Sequence, residues 1–88
     1  MILIGGNNMR NMFVVYKTDS WHSYASREII GVTTTVKNAV TICKKQAYKE
    51  NLFINKEQEF NLYNIKQTQG YNGEGEFHFE EVPVNTLI

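Results

Sequence analysis

Arg27–Ala47, REIIGVTTTVKNAVTICKKQA, decides the fold. Ile29, Ile30 and Val32 make a short β-branched run that reads as a strand, and Thr33, Thr34 and Thr35 follow it. From Val36 onward the apolar residues recur with the period of a helix. At about 100° per residue from Val36, Ala39, Val40, Cys43 and Ala47 fall at roughly 300°, 40°, 340° and 20°, with Ile42 beside them at about 240°. Lys37, Lys44, Lys45 and Lys49 fall on the other side, between about 80° and 220°. The helix therefore has one face for a core and one for water. Thr34 or Thr35 can accept from an orphan N–H of the first turn, and the lysines of the second half suit the negative end of the helix dipole. In a chain this short, such a helix is stable only with a sheet under it.

Upstream, Met12–Lys17, MFVVYK, is rich in β-branched and aromatic residues and reads as a central strand. Thr18–Ser26, TDSWHSYAS, joins the two strands and is far longer than a hairpin requires. Three roles suit it. Trp21 can fold back to cap the sheet, with His22 and Tyr24 on the rim. Alternatively, the loop is an exposed recognition element, since Trp and Tyr supply much of the energy at interfaces. Asp19, His22 and a serine also suggest a hydrolytic set, but residues this close in sequence rarely converge, and no oxyanion-hole glycine signature accompanies them.

Downstream of the helix, Leu52-Phe53-Ile54 is either a brief strand or a packed connection. Asn55, with Gln58 three residues on, forms a weak capping box that opens one or two helical turns between Lys56 and Ile65. Phe60, Leu62, Tyr63 and Ile65 give those turns their apolar character. Gln67–Gly75, QTQGYNGEG, is loop; no lysine-bearing phosphate motif follows it, and its neighbouring charges are glutamates. Glu76–Val82, EFHFEEV, is a last strand with Phe77 and Phe79 on one face and His78 and Glu80 on the other. Its alternation slips at Glu81-Val82, which suggests a bulge or the strand's end, and Pro83 closes the pairing. His78, facing away from the phenylalanines, reads as a surface histidine. With His22 it offers two metal ligands and no third. The architecture expected is α+β: a three-stranded, mainly antiparallel sheet with one main helix on one face, in the order β-β-α-(α)-β. Residues 1–11 stand apart as an appendage, with Ile2–Ile4 a candidate edge strand, and residues 12–88 form one small domain.

Composition bounds function. The 88 residues are 42% hydrophobic and 12% aromatic, enough for a core, and nine basic residues balance nine acidic ones. A net charge of zero gives no global attraction to nucleic acid or membrane. The charges are sorted, however. Lys44, Lys45, Lys49, Lys56 and Lys66 precede a segment that, after Gly70, holds only Glu74, Glu76, Glu80 and Glu81. Solvated faces account for this most simply. The single cysteine, Cys43, sits on the apolar stripe and is expected to be a buried, inert thiol. MILIGGNN is too short for a signal peptide or a spanning helix, so a reducing, cytoplasmic setting is expected.

Four stretches, Tyr16–Ser23 (YKTDSWHS), Ile30–Thr34 (IGVTT), Asn64–Gly70 (NIKQTQG) and Gly73–Phe77 (GEGEF), together resemble a group of small uncharacterised proteins. These are carried by gut-dwelling bacteria, their phages and their mobile elements. The likeness runs from Met12 to the C-terminus. It implies an accessory, mobile-element context and no catalytic residue.

The function expected is a small non-catalytic binding module that engages a host protein through loop 18–26. Asp19, Trp21, His22, Tyr24 and Arg27 are its candidate contacts, with Trp21 and Tyr24 as anchors. The alternative is a nucleotide or other small polar ligand between loops 18–26 and 67–75. There Trp21 or Tyr71 would stack on a ring while Gln67, Thr68 and Gln69 donate and accept. A homodimer through a sheet edge fits either. No cofactor is implied. Nucleic acid is disfavoured by the acidic C-terminal third, and no carboxylate pair, metal set or activated nucleophile has the spacing of an enzyme.

Overall fold

The computed structural model describes residues 11–71 and 75–83. In chain order these form β1 (Asn11–Thr18), a 3-10 turn (Tyr24–Ser26), β2 (Glu28–Thr33), α1 (Val36–Lys49), α2 (Lys56–Ile65) and β3 (Glu76–Pro83). The three strands make one antiparallel sheet in the order β2-β1-β3, so β1 is central, as its composition predicts. Residues 1–10, including Ile2–Ile4, lie outside the described residues.

Alternation along the strands gives the sheet two different faces. Phe13 and Val15 of β1 and Phe77 and Phe79 of β3 turn toward α1. They meet Ala39, Val40, Cys43 and Ala47, the stripe read from the sequence. Val36, Ile42 and Ile30 pack against this core, and Leu62 of α2 joins it with Ile54 from the connection. Phe13 and Phe79 meet edge to face, centroids 5.7 Å apart. Burial pushes the Cys43 thiol up to about 12, so it carries no thiolate reactivity near neutral pH.

The ends of α1 have identifiable causes. The Thr35 hydroxyl oxygen accepts from the Asn38 N–H at 3.1 Å. At the other end Asn51 takes the left-handed conformation, φ 59°. Its N–H bonds Tyr48 O and that of Leu52 bonds Ala47 O, the paired arrangement that closes a helix, and Leu52 folds onto the core. Lys17 on β1 reaches Glu50 just beyond α1, at 3.0 Å.

Of the two forms expected for Leu52-Phe53-Ile54, the packed connection is the one adopted. Two other expectations are corrected. Asn55 caps α2 by accepting from the Gln58 N–H, but the Gln58 side chain does not return to the cap. Its amide instead holds both the N–H and the C=O of Gln69. Finally, β3 does not slip at Glu81-Val82: its ladder with β1 runs unbroken from Glu76 to Pro83. The irregularity lies in β2, where Ile30 is the extra residue between the pairs Val15↔Gly31 and Tyr16↔Ile29.

The outer edge of β3 is not free. Lys66–Thr68 runs beside it, with the Thr68 N–H donating to Phe77 O and the Phe79 N–H to Lys66 O. The face turned away from α1 carries Val14, Tyr16, Thr18, His78 and Glu80, and the candidate site is built there.

Candidate functional site at the aromatic loop

The connection between β1 and β2 is long because it folds back over the sheet face opposite α1. It is pinned by its own small polar residues. The Asp19 carboxylate accepts from the N–H groups of Trp21 (3.1 Å) and Ser23 (3.0 Å) and from the Ser23 hydroxyl (2.6 Å). The Ser23 side chain, ahead of these N–H bonds, holds the Asp19 carboxyl below the ordinary carboxylate range. The Asp19 N–H donates to Ser26 Oγ, whose hydroxyl donates to Ser23 O. One turn of 3-10 helix then delivers Arg27 to β2.

This scaffold sorts neighbouring side chains to opposite sides. His22 sits at φ 54°, in the left-handed region, and the imidazole turns in. Its Nε2 donates to the Thr68 carbonyl at 2.9 Å, and Nδ1 lies 3.3 Å from Thr18 Oγ1. Trp21 stays out, 84% exposed, and so does Tyr24, 81% exposed. Of the three roles read for this loop, the indole as cap of the sheet is therefore not the one adopted. Arg27 lies between two rings, its guanidinium carbon 4.6 Å from the Tyr24 centroid and 5.1 Å from that of Tyr16. It also pairs with Glu80 at 2.8 Å. Its charge is thus engaged within the molecule.

His78 corrects the sequence reading most. It is 6% exposed, not a surface residue. Its ring stacks on Tyr16 at 5.0 Å and meets the edge of His22 at 5.7 Å. Burial first, and then the nearby Arg27, hold His78 down to about 4, so it is neutral near pH 7. Tyr16, His78 and Glu80 complete the cluster, and none of them was among the expected contacts. The signal in the sequence was the connection's length: it must cover something.

The second expected group lies elsewhere. Thr68 is fully buried, its hydroxyl donating to Glu76 Oε1 and accepting from the Phe77 N–H. Gln67 pairs opposite His78, and the main chain of Gln69 is held by Gln58. Tyr71 packs on Phe77, its N–H donating to Glu76 Oε2. Burial, with Glu50 and Glu76 nearby, raises its hydroxyl above the ordinary tyrosine range. Loops 18–26 and 67–75 do meet, through the His22–Thr68 bond, while the Thr68 hydroxyl is engaged by Glu76 and Phe77 and the Gln69 main chain by Gln58.

The hydrolytic set of Asp19, His22 and a serine does not assemble. The Asp19 carboxylate binds Ser23 and backbone, while the His22 nitrogens face Thr18 and Thr68, so no serine is activated by a histidine here. Among the described residues no three His, Cys, Asp or Glu side chains gather as a metal set, and no helix is long and apolar enough to cross a membrane. No family model, no curated protein and no solved structure matches the chain.

Proposed function

We propose that this protein is a small non-catalytic binding module that engages another protein through Trp21 and Tyr24. The observation that carries the reading is the pairing of exposure with order. Two large aromatic side chains stand more than four-fifths in water on a loop whose backbone is fixed by Asp19, Ser23 and Ser26. An ordered loop loses little conformational entropy on docking, and Trp and Tyr are the side chains most often central to interfaces. Ile29 and Val32, half exposed on the adjoining strand, extend the apolar surface. The resemblance to proteins of gut bacteria, phages and mobile elements supports an accessory role, with a host protein as the partner.

Affinity capture with matched baits tests this. Trp21→Ala is expected to weaken capture of a wild-type partner about thirtyfold, the effect of losing an anchor worth roughly 2 kcal/mol. Tyr48→Ala removes an equally exposed tyrosine on α1 and is expected to change nothing. Equal capture by folded wild-type and Trp21→Ala baits would overturn the reading.

A further inference from the structure

The aromatic loop is fastened to the sheet at a place where two cations would compete for one carboxylate. We propose that the face formed by Tyr16, His22, Arg27, His78 and Glu80 is an acid-released clasp. Protonation of His78 detaches Arg27 and frees loop 19–27, so Trp21 and Tyr24 are held in one arrangement only while His78 is neutral.

The geometry carries this. His78 is enclosed by Tyr16 from β1, His22 from the loop and Arg27 at the loop's end. From its own strand Glu76 and Glu80 share its face, and Gln67 lies opposite. Glu76 is occupied by the Thr68 hydroxyl and the Tyr71 N–H. Both His78 ring nitrogens are buried with no hydrogen-bond partner, and so is Arg27 Nε. Glu80 Oε1 lies 3.8 Å from His78 Nε2, too far for a hydrogen bond, and Arg27 already holds that same oxygen at 2.8 Å.

A neutral imidazole tolerates this environment, because its Tyr16 stack does not depend on a filled polar shell. An imidazolium would need a counter-charge, and the carboxylate within reach is the one that anchors Arg27. If Glu80 moves to His78, Arg27 is left over Tyr16 without its partner. If Glu80 stays, a buried imidazolium lies beside the half-buried Arg27 with no counter-charge of its own. Either way the Arg27 side chain loses its tie to β3, leaving the His22–Thr68 bond as the loop's remaining side-chain tie on that side of the sheet.

The sign follows. An imidazole released to water binds its proton near 6.5, whereas in the closed clasp it does so only near 4. The released form therefore takes up more protons as pH falls from about 6.5 toward 4, and acid favours release.

Amide hydrogen exchange on the isolated protein, corrected for the intrinsic pH dependence, tests the clasp without any partner. In the wild type, protection at Ser23, Ser26 and Arg27 is expected to fall at least about tenfold between pH 6.5 and 4, while Val15 and Phe79 stay protected. In His78→Phe, which keeps a ring against Tyr16 and cannot take a proton, that fall is expected to vanish. Should that variant not fold, a ring-proton titration of wild-type His78 replaces it, with a midpoint near 4 that coincides with the change at the loop amides. Protection independent of pH, the same fall in both proteins, or a His78 midpoint near 6.5 with the loop unmoved would overturn the clasp. The clasp rests on the binding reading only for its consequence: its failure leaves capture through Trp21 intact, and failure of capture leaves the pH-dependent exchange intact.

Discussion

Gly75→Ala is expected to destabilise the protein by about 3 kcal/mol, a large share of the stability of a domain this small. Gly75 stands immediately before β3, against the end of β1. A Cβ there would lie 1.9 Å from the Thr18 carbonyl oxygen, 3.0 Å from its carbonyl carbon and 3.5 Å from Asp19 Cα. Every one of these is a backbone atom, so no side chain can swing aside. Accommodation requires the pair Thr18↔Glu76 to part, at the point where β1 hands over to the aromatic loop. Gly31→Ala is the natural comparison. Its added methyl would meet only side-chain atoms, Ile42 Cδ1 at 2.9 Å and Ile42 Cγ2 at 3.0 Å, which can give where backbone cannot, and a cost of about 1 kcal/mol is expected. Urea titration of both variants checks the difference, with a lower midpoint and an unchanged slope for Gly75→Ala. Equal midpoints would show that β1 and β3 do not approach so closely there.

The second large effect is expected at Phe79. This ring is fully buried on the α1 side of β3, edge-on to Phe13. Truncation removes its transfer free energy and leaves a cavity under a helix that is fixed at both ends, so Phe79→Ala is expected to cost about 4 kcal/mol. At a total stability of roughly 5–10 kcal/mol, that brings the variant close to unfolding at ambient temperature. Phe53→Ala removes the same ring from a site 79% exposed, and a change within about 0.5 kcal/mol is expected. Thermal denaturation followed by circular dichroism separates the two outcomes.

What was legible in the sequence was what repeats. The α1 stripe is set by four buried residues at helical spacing, and the Thr35 cap by a hydroxyl before them, so both were visible without coordinates. Phe77 and Phe79 showed their shared face through a period of two. Periodicity says which side of a strand a residue takes, but not what lies over that side. Alternation puts His78 on the side away from α1, yet that side is covered by the Thr18–Arg27 connection, which only tertiary contact reveals. Trp21 and His22 are adjacent and similar in polarity pattern. Which of them turns inward depends on the conformation at His22 and on a carbonyl 46 residues away, and hydropathy reports neither. The Gln58 amide shows the same limit: a local cap and a distant loop offered equivalent partners, and the loop holds it. The bulge at Ile30 falls inside a run read as an ordinary strand, whereas the disrupted alternation at Glu81 is harmless, because Glu81 is exposed and takes a hydrogen bond from Asn11.

The central claim is an ordered loop on the sheet face opposite α1 with its indole in water. Because Trp21 is the chain's one tryptophan, intrinsic fluorescence reports on it alone. In the native protein near neutral pH, the emission maximum is expected to match that of the urea-unfolded chain, with acrylamide quenching as efficient as for free indole, while the tyrosine and core signals remain native. A blue-shifted emission protected from acrylamide would mean that Trp21 is packed against the protein, and would contradict both the loop's arrangement and the binding surface built on it.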